Sequence, residues 1–266
     1  MTDIAMVRGL EGREAGPTFQ DEGIVSPTRQ VPIVESLKNA HSIVGEEFRL
    51  LRAKVQGVCE ARHLRCLGVV SALPGEGKST VALGLTIAFA REPDRRILLV
   101  ETDLRRPSIS RDLGMPPFPG MGEWLNGTIE QIPLRRVEPG GFFLLGPGEV
   151  PLERPEDLGS SRMEALLRAA RGTFDLVVLD ATPILPVADV TLMQDLLDGF
   201  LLVVRSRKTP RDAINDAMAR IQSEKLIGVV LNDHREYSGS YMNYAYKGYG
   251  MEAGSPKGQS RRKRKW

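Results

Sequence analysis

The sequence predicts an α/β protein of three layers, with a mostly parallel, doubly wound β-sheet between helices and a phosphate-binding loop after its first central strand. Three observations carry this. Short, continuously apolar runs recur: "CLGVVSA" at 66–72, "RILLVET" at 96–102, "FFLLG" at 142–146, "FDLVVLDA" at 174–181, "GFLLVVRS" at 199–206 and "LIGVVLND" at 226–233. Helical stretches near 79–92, 160–171, 187–197 and 210–223 separate most of them. The first run passes directly into the glycine turn "LPGEGKST". Strands apolar on both faces belong to a parallel sheet covered on both sides, and right-handed crossovers make it doubly wound.

In chain order, residues 1–34 mix glycine, proline and charge without apolar periodicity and predict a flexible N-terminal segment. Residues 35–233 form one domain. It opens with "ESLKNAHSIVGEEFRLLRAKVQGV", where Leu37, Ile43, Phe48, Leu51 and Val55 fall at mostly helical spacing and predict one or two amphipathic helices. The stretch 104–140 is rich in Pro, Gly and Arg and predicts a long functional loop or lid with a short helix at "GEWLNG". Trp124 within it reads as a packing anchor. Residues 234–266 form a flexible tail.

That tail holds Tyr237, Tyr241, Tyr244, Tyr246 and Tyr249, all five tyrosines of the 266-residue chain. Its last ten residues, "KGQSRRKRKW", carry six basic side chains and no acid; without them the net charge of +2 becomes −4. A mildly acidic body gives no signature of nucleic-acid binding. Cys59 and Cys66 are too few for a disulfide framework and lack zinc-site spacing, so reduced thiols in a cytosolic protein are expected. The opening residues predict neither signal peptide nor membrane anchor, and no stretch approaches the roughly 18–20 apolar residues that a span requires.

"SALPGEGKST" carries the chemistry. Ala72, then four residues, then Gly77-Lys78-Ser79 matches the phosphate-loop pattern with alanine in the first glycine position. The nucleotide-binding set is Pro74, Gly75, Glu76, Gly77, Lys78, Ser79 and Thr80. The glycines let backbone N–H groups turn inward at phosphate oxygens, and the helix N-terminus adds its dipole. Lys78 faces the β- and γ-phosphates, and Ser79 offers a hydroxyl to magnesium. Asp180 closes the run "LVVL" at a strand's carboxyl end, where open α/β sheets bind ligands, and reads as a metal-organising carboxylate. Glu101 and Asp103 in "VETDLRRPS" stand two apart on a strand end and so face one side, with Arg105 next on that side. Two readings fit them: one steers magnesium while the other acts as general base, or both pair with Arg105 at the surface.

Together, "PGEGKST", "VETDLRRPS", "LVVLDATP", "VVRSRKTPR" and the tyrosine-rich end resemble the bacterial tyrosine kinases, the P-loop autokinases of capsule and exopolysaccharide export, over residues 35–250. The resemblance implies transfer of phosphate from Mg2+-bound ATP to the tail tyrosines of a neighbouring copy. Lys78, Asp103 and Asp180 are then catalytic, Ser79, Asp103 and Asp180 organise Mg2+, Glu101 is the base and Asn232 contacts adenine. Glu46, Arg49 and Arg52 spell the family's E-x-x-R-x-x-R motif and imply a ring-like homo-oligomer. The chain is similar to members that are separate cytoplasmic chains recruited to the inner face of the plasma membrane by a membrane-protein activator of the polysaccharide co-polymerase type. The basic tail then contacts anionic lipid or an acidic partner segment, or merely solubilises. Two departures stand out: Glu101 replaces the usual aspartate, and "DATP" replaces "DTPP". Competing readings are a partitioning ATPase, which generally carries a second lysine where Leu73 stands, and a catalytically idle nucleotide-dependent scaffold.

Overall fold

The structure is a computed structural model that describes residues 16–39 and 42–234. Strand β1 (Phe19–Val25) and helix α1 (Pro32–Lys38) precede the long helix α2 (Ile43–Arg62). Then come β2 (Cys66–Ser71), α3 (Lys78–Ala90), β3 (Ile97–Glu101), α4 (Ile109–Leu113), α5 (Met121–Asn126), β4 (Ile132–Val137) and β5 (Phe142–Leu145). The described chain ends with α6 (Ser161–Thr173), β6 (Leu176–Pro183), α7 (Asp189–Met193), β7 (Gly199–Arg205), α8 (Arg211–Arg220) and β8 (Leu226–Asn232).

The strands make one sheet in the order β1-β4-β5-β3-β6-β2-β7-β8, parallel at every pairing except β4 with β5. Strand alternation divides the core in two. On β3, Leu98 and Val100 join α5, α6 and α7 on one face, while Ile97 and Leu99 join α1, α2 and α3 on the other. The three-layer, doubly wound architecture is therefore as the apolar runs predict.

Helix α3 is buried almost throughout, so its contact with α2 is tight. A Cβ on Gly84 would stand 2.4 Å from the Phe48 ring of α2. Gly84→Ala is expected to destabilise the fold by about 1–3 kcal/mol, through overpacking between two helices that cannot both keep their seats. A denaturant titration checks this.

Two expectations are corrected. Residues 16–34 hold β1 and the start of α1. β1 pairs in parallel with β4, and Phe19 meets Phe174 edge-on at 5.5 Å between centroids. The segment 104–140 is largely core: it supplies α4, α5 and β4 and buries Ile109, Leu113, Met121, Leu125, Ile132 and Val137. Trp124 is a packing anchor as expected, 4% exposed with the Arg162 guanidinium 4.2 Å over its ring. No helix among the described residues is long and apolar enough to cross a membrane.

Candidate active site

β2 lies inside the sheet between β6 and β7, and the loop leaving its carboxyl end curls into α3. Gly75 (φ 79°) and Gly77 (φ 92°) adopt left-handed backbone, and at Gly77 a Cβ would fall 2.0 Å from the Asn232 side-chain nitrogen. No side chain caps the N-terminus of α3. Its first N–H groups are thus available to an anion.

Lys78 reaches back from the first turn of α3 to two strand ends. Its Nζ lies 2.9 Å from Asp103 Oδ2, 3.4 Å from Asp180 Oδ1 and 3.3 Å from Ser79 Oγ. Asp180 is fully buried and Asp103 nearly so. Burial alone would lower the lysine's pKa, but the charges of Asp180 and Asp103 outweigh it and raise it, so Lys78 stays protonated. Burial pushes the Asp180 carboxyl up to about 7, although Lys78 and the Ser79 hydroxyl pull it down. Asp180 Oδ2 has no hydrogen-bond partner among the described residues.

These features test whether magnesium fits. Asp180, Asp103 and Ser79 are hard oxygen donors, and one buried carboxylate oxygen lacks a partner, which suits Mg2+. Among the described residues no group of three or more His, Cys, Asp or Glu side chains is placed to hold a metal alone. Magnesium usually completes its shell with phosphate oxygens and water, so the set fits an ion that arrives with a nucleotide.

A cavity of about 540 Å³ opens beside this cluster. One wall is the loop from Pro74 through Thr80; the other combines Asp103, Arg105, Arg106 and Ser108 with Thr182, Pro183, Pro186 and Val187. Arg105 pairs with buried Asp189 at 3.3 Å and remains half exposed.

The structure does not bring Glu101 to the cavity. Its carboxylate is fully buried and accepts hydrogen bonds from the backbone N–H groups of Ser108, Ile109 (2.7 Å) and Ser110 (3.0 Å) and from Ser110 Oγ (2.7 Å). Four donors occupy both oxygens, so Glu101 anchors the start of α4 and has no free lone pair aimed at a substrate. Asp103, two residues on, is the carboxylate of the pair that lines the cavity.

Glu76 likewise turns away from the phosphate position. Its carboxylate accepts from Leu73 N (2.9 Å) and the Thr209 hydroxyl, leaving its backbone as its contribution to the loop. Sequence reasoning missed this brace. Arg205 donates to Gly75 O (3.3 Å) and pairs with Asp233 (2.9 Å), and Asn232 Nδ2 donates to Glu76 O (2.8 Å). The ends of β7 and β8 thereby grip the loop from behind. Asn232 also lines a second cavity of about 390 Å³ with Glu47, Phe48, Leu51 and Val81, adjoining the loop.

On α2, Glu46 pairs with Arg49 one turn away, and Arg52 pairs with Glu92 just beyond α3. Cys59 and Cys66 are buried free thiols, pushed by burial to about 11 and about 12 and so unreactive. The five tyrosines and the basic residues 257–266 lie outside the described residues.

A glycine loop on a helix N-terminus, with a lysine shared by two strand-end carboxylates, defines a P-loop protein that handles nucleotide phosphates at the carboxyl edge of its sheet. Comparison with known proteins narrows this. The chain is 30% identical over 214 residues to the tyrosine-protein kinase YwqD of Bacillus subtilis, covering 77% of this chain and 89% of that one. It is 29% identical over 201 residues to the succinoglycan biosynthesis transport protein ExoP of Rhizobium meliloti, covering 72% of this chain and 25% of ExoP. The solved kinase domain of the Escherichia coli tyrosine kinase ETK superposes with a TM-score of 0.70 at 28% identity, covering 77% of this chain and 81% of that domain. No protein-family model matches. The chain belongs to the family of bacterial tyrosine-protein kinases.

Proposed function

We propose that this kinase transfers the γ-phosphoryl group of ATP to the tyrosines of its own C-terminal tail, presented by a neighbouring copy. The observation that carries the reading is Lys78, held between Asp103 and Asp180 at the mouth of the loop. The loop backbone and Lys78 bind and neutralise the phosphates, and the second cavity, with Asn232, takes the nucleoside. Ser79, Asp103 and Asp180 would hold Mg2+, which supplies charge neutralisation on the phosphate oxygens when bound. With Glu101 committed to α4, Asp103 keeps lone pairs to offer, because its oxygens each carry one partner, Lys78 Nζ on Oδ2 and the Arg106 N–H on Oδ1. Those lone pairs would accept the phenol's proton if Asp103 reaches Mg2+ only through water, leaving Ser79 and Asp180 as the direct holders. A free phenol has a pKa of about 10, so transfer near neutrality needs such an acceptor. The phenolic oxygen forms a bond to the γ-phosphorus, the bond to the β,γ-bridging oxygen breaks with its electron pair leaving on ADP, and the proton passes to Asp103 and then to solvent.

Glu46, Arg49 and Arg52 on one stripe of α2 support a ring of subunits, in which their intrachain pairs are exchanged for contacts with a neighbour. Each phosphate adds about −1.5 to −2 charge to the tail, so full modification opposes close packing of the copies. The similarity to ExoP supports a role in exopolysaccharide synthesis or export, at the cytoplasmic face of a membrane, with a membrane-protein activator. The basic tail favours an anionic lipid surface or an acidic partner segment. Replacing all five tail tyrosines by phenylalanine removes every tyrosine of the chain and is expected to abolish incorporation of phosphate from ATP while leaving ATP affinity within about twofold. Phosphate still incorporated into that variant, located by mass spectrometry on a serine or threonine, would place the acceptor elsewhere.

A further inference from the structure

Thr182 is a polar residue of the cavity wall that the reading above leaves unused. It is 1% exposed, and its hydroxyl has no hydrogen-bond partner among the described residues. Leaving a buried hydroxyl unpaired costs about 1–3 kcal/mol, and native structures keep few such groups. The local backbone is irregular at this point. Between paired positions, β2 advances two residues, Val69 to Ser71, while β6 advances three, Asp180 to Pro183. The extra residue breaks the register there, as a β-bulge does where it re-aims a side chain beside a site.

The phosphate groups already have their donors on the opposite wall, in the loop, Lys78 and Ser79. The wall that holds Thr182 carries Pro183, Pro186 and Val187 beside the polar Asp103, Arg105, Arg106 and Ser108. Apolar side chains next to one unpaired hydroxyl complement a ring that carries one polar tip. We infer that Thr182 binds the acceptor: its O–H donates a hydrogen bond to the phenolic oxygen of the incoming tyrosine, whose ring lies on Pro183, Pro186 and Val187. The phenol's own O–H is then left to donate to Asp103, the proton acceptor of the transfer step. This rests on the tyrosine-kinase reading and adds to it a residue that selects the acceptor.

The test uses the full chain with Mg-ATP and a peptide of residues 235–250 as acceptor. Thr182→Val keeps the shape and removes the hydroxyl; Thr182→Ser restores it. Thr182→Val is expected to lower kcat/KM for the peptide about three- to tenfold, with Thr182→Ser within about twofold of the parent and ATP affinity unchanged in both. A peptide with all its tyrosines replaced by phenylalanine should inhibit the parent and Thr182→Val equally, because neither makes the bond to it. Parent-like kinetics in Thr182→Val would overturn the inference, as would equal impairment in both variants or a loss confined to ATP affinity. Hydrolysis of ATP by the parent with no phosphotyrosine on peptide or tail would instead overturn the kinase reading itself, so the two failures are distinguishable.

Discussion

Lys78→Met is expected to lower phosphoryl transfer by about a hundred- to a thousandfold, the loss typical when a preorganised charge at a developing anion is removed. Methionine fills the lysine's space without its charge, so the effect reports electrostatics and not packing. It has a second consequence. Lys78 faces both Asp103 and Asp180, and breaking a buried ion pair from one side costs about 3–5 kcal/mol. Asp180 escapes part of this by protonation, since burial already pushes it up to about 7 beside an intact lysine. The variant should therefore lose more stability at pH 8 than at pH 6. Phosphotyrosine yield and melting curves at both pH values check the pair of effects; an active variant would remove Lys78 from the mechanism.

Asp180→Asn is expected to abolish transfer to a similar degree while making the nucleotide-free protein more stable. The ordinary aspartate pKa of 3.8 rises to about 7 in the fold, so between those values the folded state holds a proton that the unfolded chain has released. Stability from this group is complete below pH 4, falls as pH rises toward 7 and stays low above. Asparagine cannot ionise and removes the penalty. At pH 8 the variant should be more stable than the parent by less than the full burial penalty, because Lys78 loses one of its two partners, and its stability should change less between pH 4 and 7. Urea titrations across that range measure both slopes. A destabilised variant would show that the Lys78 attraction outweighs the burial of Asp180.

These effects concern residues legible in the sequence because each closes a continuous apolar run or opens a helix after one. The same logic located β2, β3, β5, β6, β7 and β8. It missed β1 and β4 for a physical reason. "FQDEGIV" puts three polar residues in a row on an edge strand, and "IPLRRV" interrupts its apolar residues with proline and two arginines, so neither shows a period. Glu101 was legible as a strand-end carboxylate, but not as an anchor for α4: its donors sit seven to nine residues on and meet it only through the fold. The brace of Arg205, Thr209 and Asp233 crosses from one strand end to another, and the register break at Thr182 exists only relative to β2. A single sequence shows which groups stand at strand ends. It does not show which lone pairs are already taken.

The most direct measurement mixes two inactive halves of the reaction. A chain with all five tail tyrosines replaced by phenylalanine keeps its active site, and a Lys78→Met chain keeps its tail. Incubated together with Mg-ATP, they should yield phosphotyrosine on the Lys78→Met chain, located by mass spectrometry at residues 237–249, with neither chain modified alone. ATP turnover by the mixture with no phosphate on that tail would contradict transfer between copies at this site.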